Sequence, residues 1–249
     1  MLEKNPNVHQ LIKNADLDLS LSEACLRITN DVEIEENKLR LPTHDVFYLS
    51  ATPPKGNYIK GHIVLLHDQT NTSYVWKDTN TLQTLAAFGY SCFALDLPGG
   101  GRTGGLAVEE ANRPKFLCTF IELLGLQEVV IIGSSMAGSY IVPLLSERPD
   151  AFYITCVIAV AISNTDKLPA GMAKDIVTPV LVLRGSFDTS LGQNSANNLK
   201  NLANSRVITV PDARHLCYLN NSKYFHTVSL NFLDIVLNHI TKSPFVSDV

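Results

Sequence analysis

Seven short runs of β-branched and apolar residues recur along the chain, separated by longer amphipathic stretches. The runs are DVFYLS (45–50), GHIVLLH (61–67), SCFALDL (91–97), EVVIIG (128–133), ITCVIAVAI (154–162), PVLVLRG (179–185) and SRVITV (205–210). Several are apolar throughout, as expected of strands covered on both faces. Helical spacing of apolar residues occupies 77–88, 108–124, 136–147, 192–203 and 222–240. Strand alternating with helix predicts an α/β fold, a mostly parallel central sheet flanked by helices. Residues 1–37, polar and acidic with scattered leucines, read as a partly helical N-terminal extension, and residues 38–249 as the domain itself.

Composition narrows the function classes. A chain of 249 residues that is 45% apolar and 18% charged can bury a sizeable core. Its net charge of −4 offers no basic surface to nucleic acid or to an anionic membrane. The longest apolar runs stop well short of the ~18 residues of a membrane span, and the first residues lack an apolar core of signal-peptide length. Five scattered cysteines (Cys25, Cys92, Cys118, Cys156, Cys217) form neither a disulfide framework nor a metal-ligand pattern. The expected setting is the reducing cytoplasm, or the nucleus, where the sequons at Asn71 and Asn220 carry no meaning.

Ligands of parallel sheets bind at the carboxyl ends of the strands. Attention therefore falls on His67-Asp68-Gln69, Asp96-Leu97-Pro98-Gly99, Ser134-Ser135-Met136, Ser186-Phe187-Asp188 and Arg214-His215. PGGGRTGG contains Gly99-x-Gly101-x-x-Gly104, formally a dinucleotide fingerprint, but at least two strands precede it and no helix opens directly from it. It reads as a loop. VVIIGSSMAG (129–138) is the more informative stretch. A nucleophilic serine on a sharp strand-to-helix turn needs small neighbours two positions away. Gly133 supplies one, and Ala137 stands where the usual glycine would be.

A serine becomes reactive only with a base and a group that orients the base. In chain order these are Ser, acid, then His. Of the histidines downstream of Ser135, His226 and His239 lie in the long C-terminal helical pattern and read as surface residues, whereas His215 follows the last strand in a loop. Asp188 follows PVLVLRG, 27 residues before His215. Asp166 precedes that strand, and Asp212 is close enough to His215 to serve the turn. Ser135, Asp188 and His215 are thus the candidate catalytic triad. The backbone N–H groups of Met136 and Gln69 are the candidate oxyanion hole.

With these residues placed, the chain resembles the α/β-hydrolase superfamily from about residue 37 to residue 240. LLHDQTNTSYVW, GYSCFALDLPGGG, GSSMAGSYIVPLL, NTDK, VLRGSFD and ARHLCYL are similar to the alpha/beta hydrolase domain-containing protein 14 branch. That branch has a serine-rich elbow and a histidine followed by x-Cys-Tyr-Leu, and the resemblance implies the same three catalytic residues. One position departs from the superfamily. Asp68 stands where glycine usually follows the histidine, and a carboxylate aimed at the oxyanion hole would oppose the charge that develops there. The expected alternative is that it turns into its own loop and accepts N–H bonds.

Only the sixteen residues Ser163–Thr178 separate ITCVIAVAI from PVLVLRG, enough for a turn but not for the helical lid of many superfamily members. A minimal cap implies an open site and hydrolysis of short-chain acyl esters through an acyl-enzyme on Ser135. The alternatives are deacylation or acyl transfer at a thioester or amide, or a non-catalytic interaction protein that keeps the fold. The expected partner is a small acyl substrate or an acylated protein. No metal or other cofactor is expected, and Cys217 reads as packing beside the site.

Overall fold

The computed structural model describes residues 6–147, 154–169 and 171–240. Among these described residues eight strands form one sheet: β1 (Ile34–Arg40), β2 (Asp45–Ala51), β3 (Gly61–Leu66), β4 (Tyr90–Leu95), β5 (Val129–Ser134), β6 (Ile154–Val160), β7 (Val180–Gly185) and β8 (Ser205–Val210). Their spatial order is β1-β2-β4-β3-β5-β6-β7-β8. The β1–β2 and β2–β4 pairs are antiparallel, and every other neighbour is parallel. The chain order reverses between β3 and β5, which places β5 at the centre with its carboxyl end open to a crevice.

The apolar strands are covered twice, which is why their patterns lack polar–apolar alternation. Ile63, Leu65, Val130, Ile132, Ile158 and Leu181 face one core, shared with α1 (Pro6–Asn14), α4 (Thr81–Ala87) and α9 (Ser222–Ile240). Val64, Leu66, Ile131, Val157, Ala159 and Val182 face a second core, shared with α5 (Arg113–Leu123), α6 (Gly138–Glu147) and α7 (Leu191–Leu199). Successive residues of one strand therefore stabilise opposite layers, and a polar residue on either face would be buried without water.

Two expectations shift. The pattern at 77–88 is broken into α3 (Tyr74–Asp78) and α4, because Asn80 takes a left-handed conformation (φ 56°) between them. The strand β1 starts at Ile34, so a domain boundary after residue 37 passes through it. Its sequence, IEENKLR, carries no apolar run because β1 is an edge strand, with every side chain exposed or only half-buried. The segment before it is anchored to the body. Ile12 and Leu17 are buried, Arg206 Nη1 donates to the carbonyls of Ile12, Lys13 and Ala15 at 2.6–2.8 Å, and Asn231 Nδ2 donates to those of Leu17 and Leu19. The guanidinium satisfies carbonyls that the end of α1 would otherwise leave unpaired.

The glycine-rich segment after β4 is a loop that runs to the short turn 110–112 ahead of α5. Fully buried Asp96 organises it, accepting the N–H groups of Ser73 and Arg102, each at 2.7 Å. Among the described residues no helix is long and apolar enough to cross a membrane, and no three His, Cys, Asp or Glu side chains are grouped as metal ligands.

Candidate active site

The strand β5 ends at Ser134, and Ser135 takes φ +49° before the chain turns through a single 3-10 turn, Ser135–Ala137, into α6. A left-handed conformation is uncommon for a side-chain-bearing residue and costs about 1–2 kcal/mol, so something must hold it. The Ser163 N–H does so by donating to the Ser135 carbonyl at 2.8 Å. That contact is possible because position 138 is glycine, where a Cβ would collide with the Ser163 backbone. A Cβ at Gly133 would overlap Ile141 and come within 3.0 Å of the Ala137 Cβ. The elbow thus needs glycine at 133 and 138, whereas at 137 a methyl group fits, fully buried. Ala137 fills the small space that Gly133 leaves.

The Ser135 hydroxyl meets His215. The imidazole Nε2 lies 3.0 Å from Ser135 Oγ, and Nδ1 lies 2.7 Å from Asp188 Oδ2. His215 arrives on the loop after β8, which turns at Asp212 (φ 54°) and enters the short α8 (Cys217–Asn220). Asp188 arrives on the loop after β7 and is 5% exposed. Its carboxylate also accepts the Gly192 N–H at 2.9 Å and, at 3.3 Å, the N–H and hydroxyl of Ser190. Burial would raise the Asp188 pKa, but His215 and the two backbone donors outweigh it and hold the carboxyl below its ordinary value. An ionised carboxylate on Nδ1 places the ring proton there and leaves Nε2 free to accept from the serine hydroxyl.

The three residues chosen from sequence are therefore linked by hydrogen bonds through His215, although 80 residues separate Ser135 from His215. Of their rivals, Asp166 lies in a 3-10 turn (Thr165–Lys167) and Asp212 forms the turn before His215. His226 is not a surface residue. It is 8% exposed, with Nε2 2.9 Å from Thr81 Oγ1, and burial lowers its pKa to about 4. The helical pattern misled because α9 is covered on more of its circumference than an ordinary amphipathic helix. The His239 side chain lies outside the described residues. Cys217 is fully buried and its thiol is pushed up to about 12, which leaves it a packing residue.

Met136 is the second residue of the 3-10 turn Ser135–Ala137, where the first N–H groups of a helix lack intrahelical acceptors. Gln69 sits exposed on the loop between β3 and α3. His67, before it, is structural: its Nε2 accepts the Leu97 N–H at 2.9 Å, so Nδ1 carries the proton and donates to the Asp68 carbonyl at 2.6 Å. Asp68 is 2% exposed and turns into its own loop. Oδ1 accepts the Thr70 N–H (2.8 Å) and hydroxyl (2.6 Å), and Oδ2 accepts Asn71 Nδ2 and Tyr218 Oη, both at 2.8 Å. Burial opposes the charge, yet these donors prevail and hold the carboxyl below its ordinary value. Tyr218 escaped the sequence reading. Its signals were the tyrosine of the ARHLCYL stretch, to which no role was given, and an acid at Asp68 in need of donors.

The segment 163–178, the minimal cap, holds only the turns Thr165–Lys167 and Met172–Lys174 among its described residues. The Glu110 carboxylate ties the first of these to the start of α5 by accepting from Lys167 Nζ and from Asn164 Nδ2.

No protein-family model matches the chain. It is 33% identical to a rat protein named "Putative protein-lysine deacylase ABHD14B" over 82% of this chain and 97% of that one. The chain belongs to the ABHD14 branch of the α/β-hydrolases. A zebrafish relative, Protein ABHD14A, is 36% identical over 69% of this chain, which spans 63% of that protein's length. Among solved structures, a "predicted CIB-like hydrolase" from Thermoplasma acidophilum superposes with a TM-score of 0.71, at 23% identity over 81% of this chain and 98% of that one. The naproxen esterase of Bacillus subtilis superposes at 0.64, with 13% identity over 86% and 100%. These structures share the fold of this chain.

Proposed function

We propose that the protein is a serine hydrolase that cleaves short-chain acyl esters through an acyl-enzyme on Ser135. The observation that carries this reading is the His215 ring, bonded through Nε2 to Ser135 Oγ and through Nδ1 to the buried carboxylate of Asp188. In the reaction, His215 Nε2 takes the hydroxyl proton as Ser135 Oγ attacks the acyl carbonyl. Asp188 stabilises the resulting imidazolium, and the N–H groups of Met136 and Gln69 receive the oxyanion. The imidazolium proton passes to the leaving alkoxide. A water molecule, deprotonated by the same ring, then releases the acid and restores Ser135. No cofactor enters this cycle.

Two observations favour a second substrate, the acyl amide of a protein lysine. The rat relative's name is one, and the slight cap over the site, which suits a bulky leaving group, is the other. The chemistry is unchanged except that the leaving group is an amine, which must receive the proton before it departs.

The test is labelling of the purified protein by a fluorophosphonate probe beside Ser135→Ala and His215→Ala. Labelling of the parent that is lost in both variants supports the reading. Short acyl esters, thioesters and acyl-lysine peptides then rank the substrates. A folded parent that stays unlabelled overturns it.

A further inference from the structure

Asp68 and Tyr218 lie 150 residues apart in the chain and meet in a buried hydrogen bond between the two loops that flank the candidate nucleophile. Asp68 directly precedes Gln69. Tyr218 comes three residues after His215, on the first turn of α8. Each end of this contact is itself fixed. The Asp68 backbone is held by His67, whose ring also ties the loop to Leu97, and its carboxylate by Thr70 and Asn71. The Tyr218 ring is fully buried and stacks on Trp76 of α3 with centroids 4.6 Å apart, so α8 rests on the helix that the Asp68 loop leads into.

Position 68 has no positive φ, so the backbone there does not require glycine. The aspartate is thus a free choice of side chain, and its four hydrogen bonds give it a task. We propose that Asp68 and Tyr218 are positioning residues, a strut that sets the Gln69 N–H relative to His215 and so holds the oxyanion donor and the base in register with Ser135. The proposal rests on the serine-hydrolase reading above. It reverses the sign expected of a carboxylate in an oxyanion loop. Four hydrogen-bond donors from the two loops already surround the charge, so removing it loosens the site and relieves no repulsion.

Tyr218→Phe deletes one oxygen and leaves the Trp76 stack in place. Displacing one oxyanion donor, short of losing it, is a part of the ~10²–10³ that complete loss costs. The expected result is a fluorophosphonate labelling rate and an ester kcat each lower by about 10-fold, with KM unchanged. Asp68→Gly, which installs the residue usual in the superfamily, should fall as far, and Asp68→Asn, which keeps an acceptor, should recover most of the rate. Hydrogen exchange supplies a readout independent of turnover: Tyr218→Phe should speed exchange in residues 68–72, and Asp68→Gly in residues 213–219. If the parent labels at Ser135 while Tyr218→Phe and Asp68→Gly label at the parent rate or faster, the strut is wrong and the hydrolase reading stands. Loops whose exchange is unchanged in both variants overturn the strut whatever the rates. A folded parent that does not label removes the reading and, with it, this role.

Discussion

The loop after β3 and the loop after β7 each bury one carboxylate, and they do so in nearly the same way. Asp68 is 2% exposed and Asp188 5%. Each accepts the N–H of the residue two positions on, Thr70 or Ser190, and each is held ionised against its own burial by a set of donors. Each then reaches the same short stretch of chain, Asp188 to His215 and Asp68 to Tyr218. What differs is the last donor. An imidazole can take up a proton and become the charge that the carboxylate stabilises. A phenol buried this deeply is pushed up, stays neutral, and can only tether. A buried carboxylate is therefore not a catalytic signature in itself; the partner decides.

The largest expected contrast comes from the same substitution on both sides. Asp188→Asn presents His215 with an amide and disturbs its tautomer, and kcat/KM should fall by roughly 10³–10⁴. Asp68→Asn should cost only a few-fold, so steady-state ester hydrolysis by the two purified variants measures the difference directly. Equal losses would erase the distinction between the two carboxylates.

A third buried group shows what happens without a charged or multiple partner. His226, with Thr81 as its hydrogen-bond partner, is lowered to about 4 from 6.5 by burial, so the unfolded chain binds a proton that the folded one refuses. Its contribution to stability is complete above about pH 6.5 and is lost as pH falls toward 4, worth about 3 kcal/mol. The two carboxylates, depressed below 3.8, add stability that is lost only at lower pH still. Thermal melts between pH 7 and 4 should therefore decline in the parent and flatten in His226→Gln. A parallel decline in both would place the acid sensitivity elsewhere.

Within the Asp68 cradle the expected costs are graded. Asp68→Ala strands three side-chain donors and one backbone donor, and urea unfolding should show a loss of about 2–3 kcal/mol. Tyr218→Phe removes one hydrogen bond and should cost about 1 kcal/mol. The smallest change belongs to the elbow. Ala137→Gly empties a methyl-sized space at a cost of about 0.5–1 kcal/mol in stability, with labelling of Ser135 unaltered.

Much of this molecule was legible from local pattern. The doubly covered strands announced themselves because both faces of Val129–Ser134 and Val180–Gly185 had to be apolar, and α9 was bounded to the residue. The edge strand β1 was hidden because solvent tolerates IEENKLR on a half-buried edge. The anchor from Arg206 to the end of α1 was equally invisible, since no local rule links an arginine in the last strand to carbonyls 191 to 194 residues earlier.

The sequence by itself determined the order of strands and helices and the three residues that could form a triad. Those follow from periodicity, from turn chemistry and from where loops fall in a parallel sheet, all of them properties of neighbours in the chain. Only the tertiary structure decided that His226 is interior, that Asp68 is bonded to Tyr218, and which buried space takes the Ala137 methyl group. Each of these depends on which atoms of distant segments occupy the same few cubic ångströms, and close packing settles that only when the whole sheet is assembled.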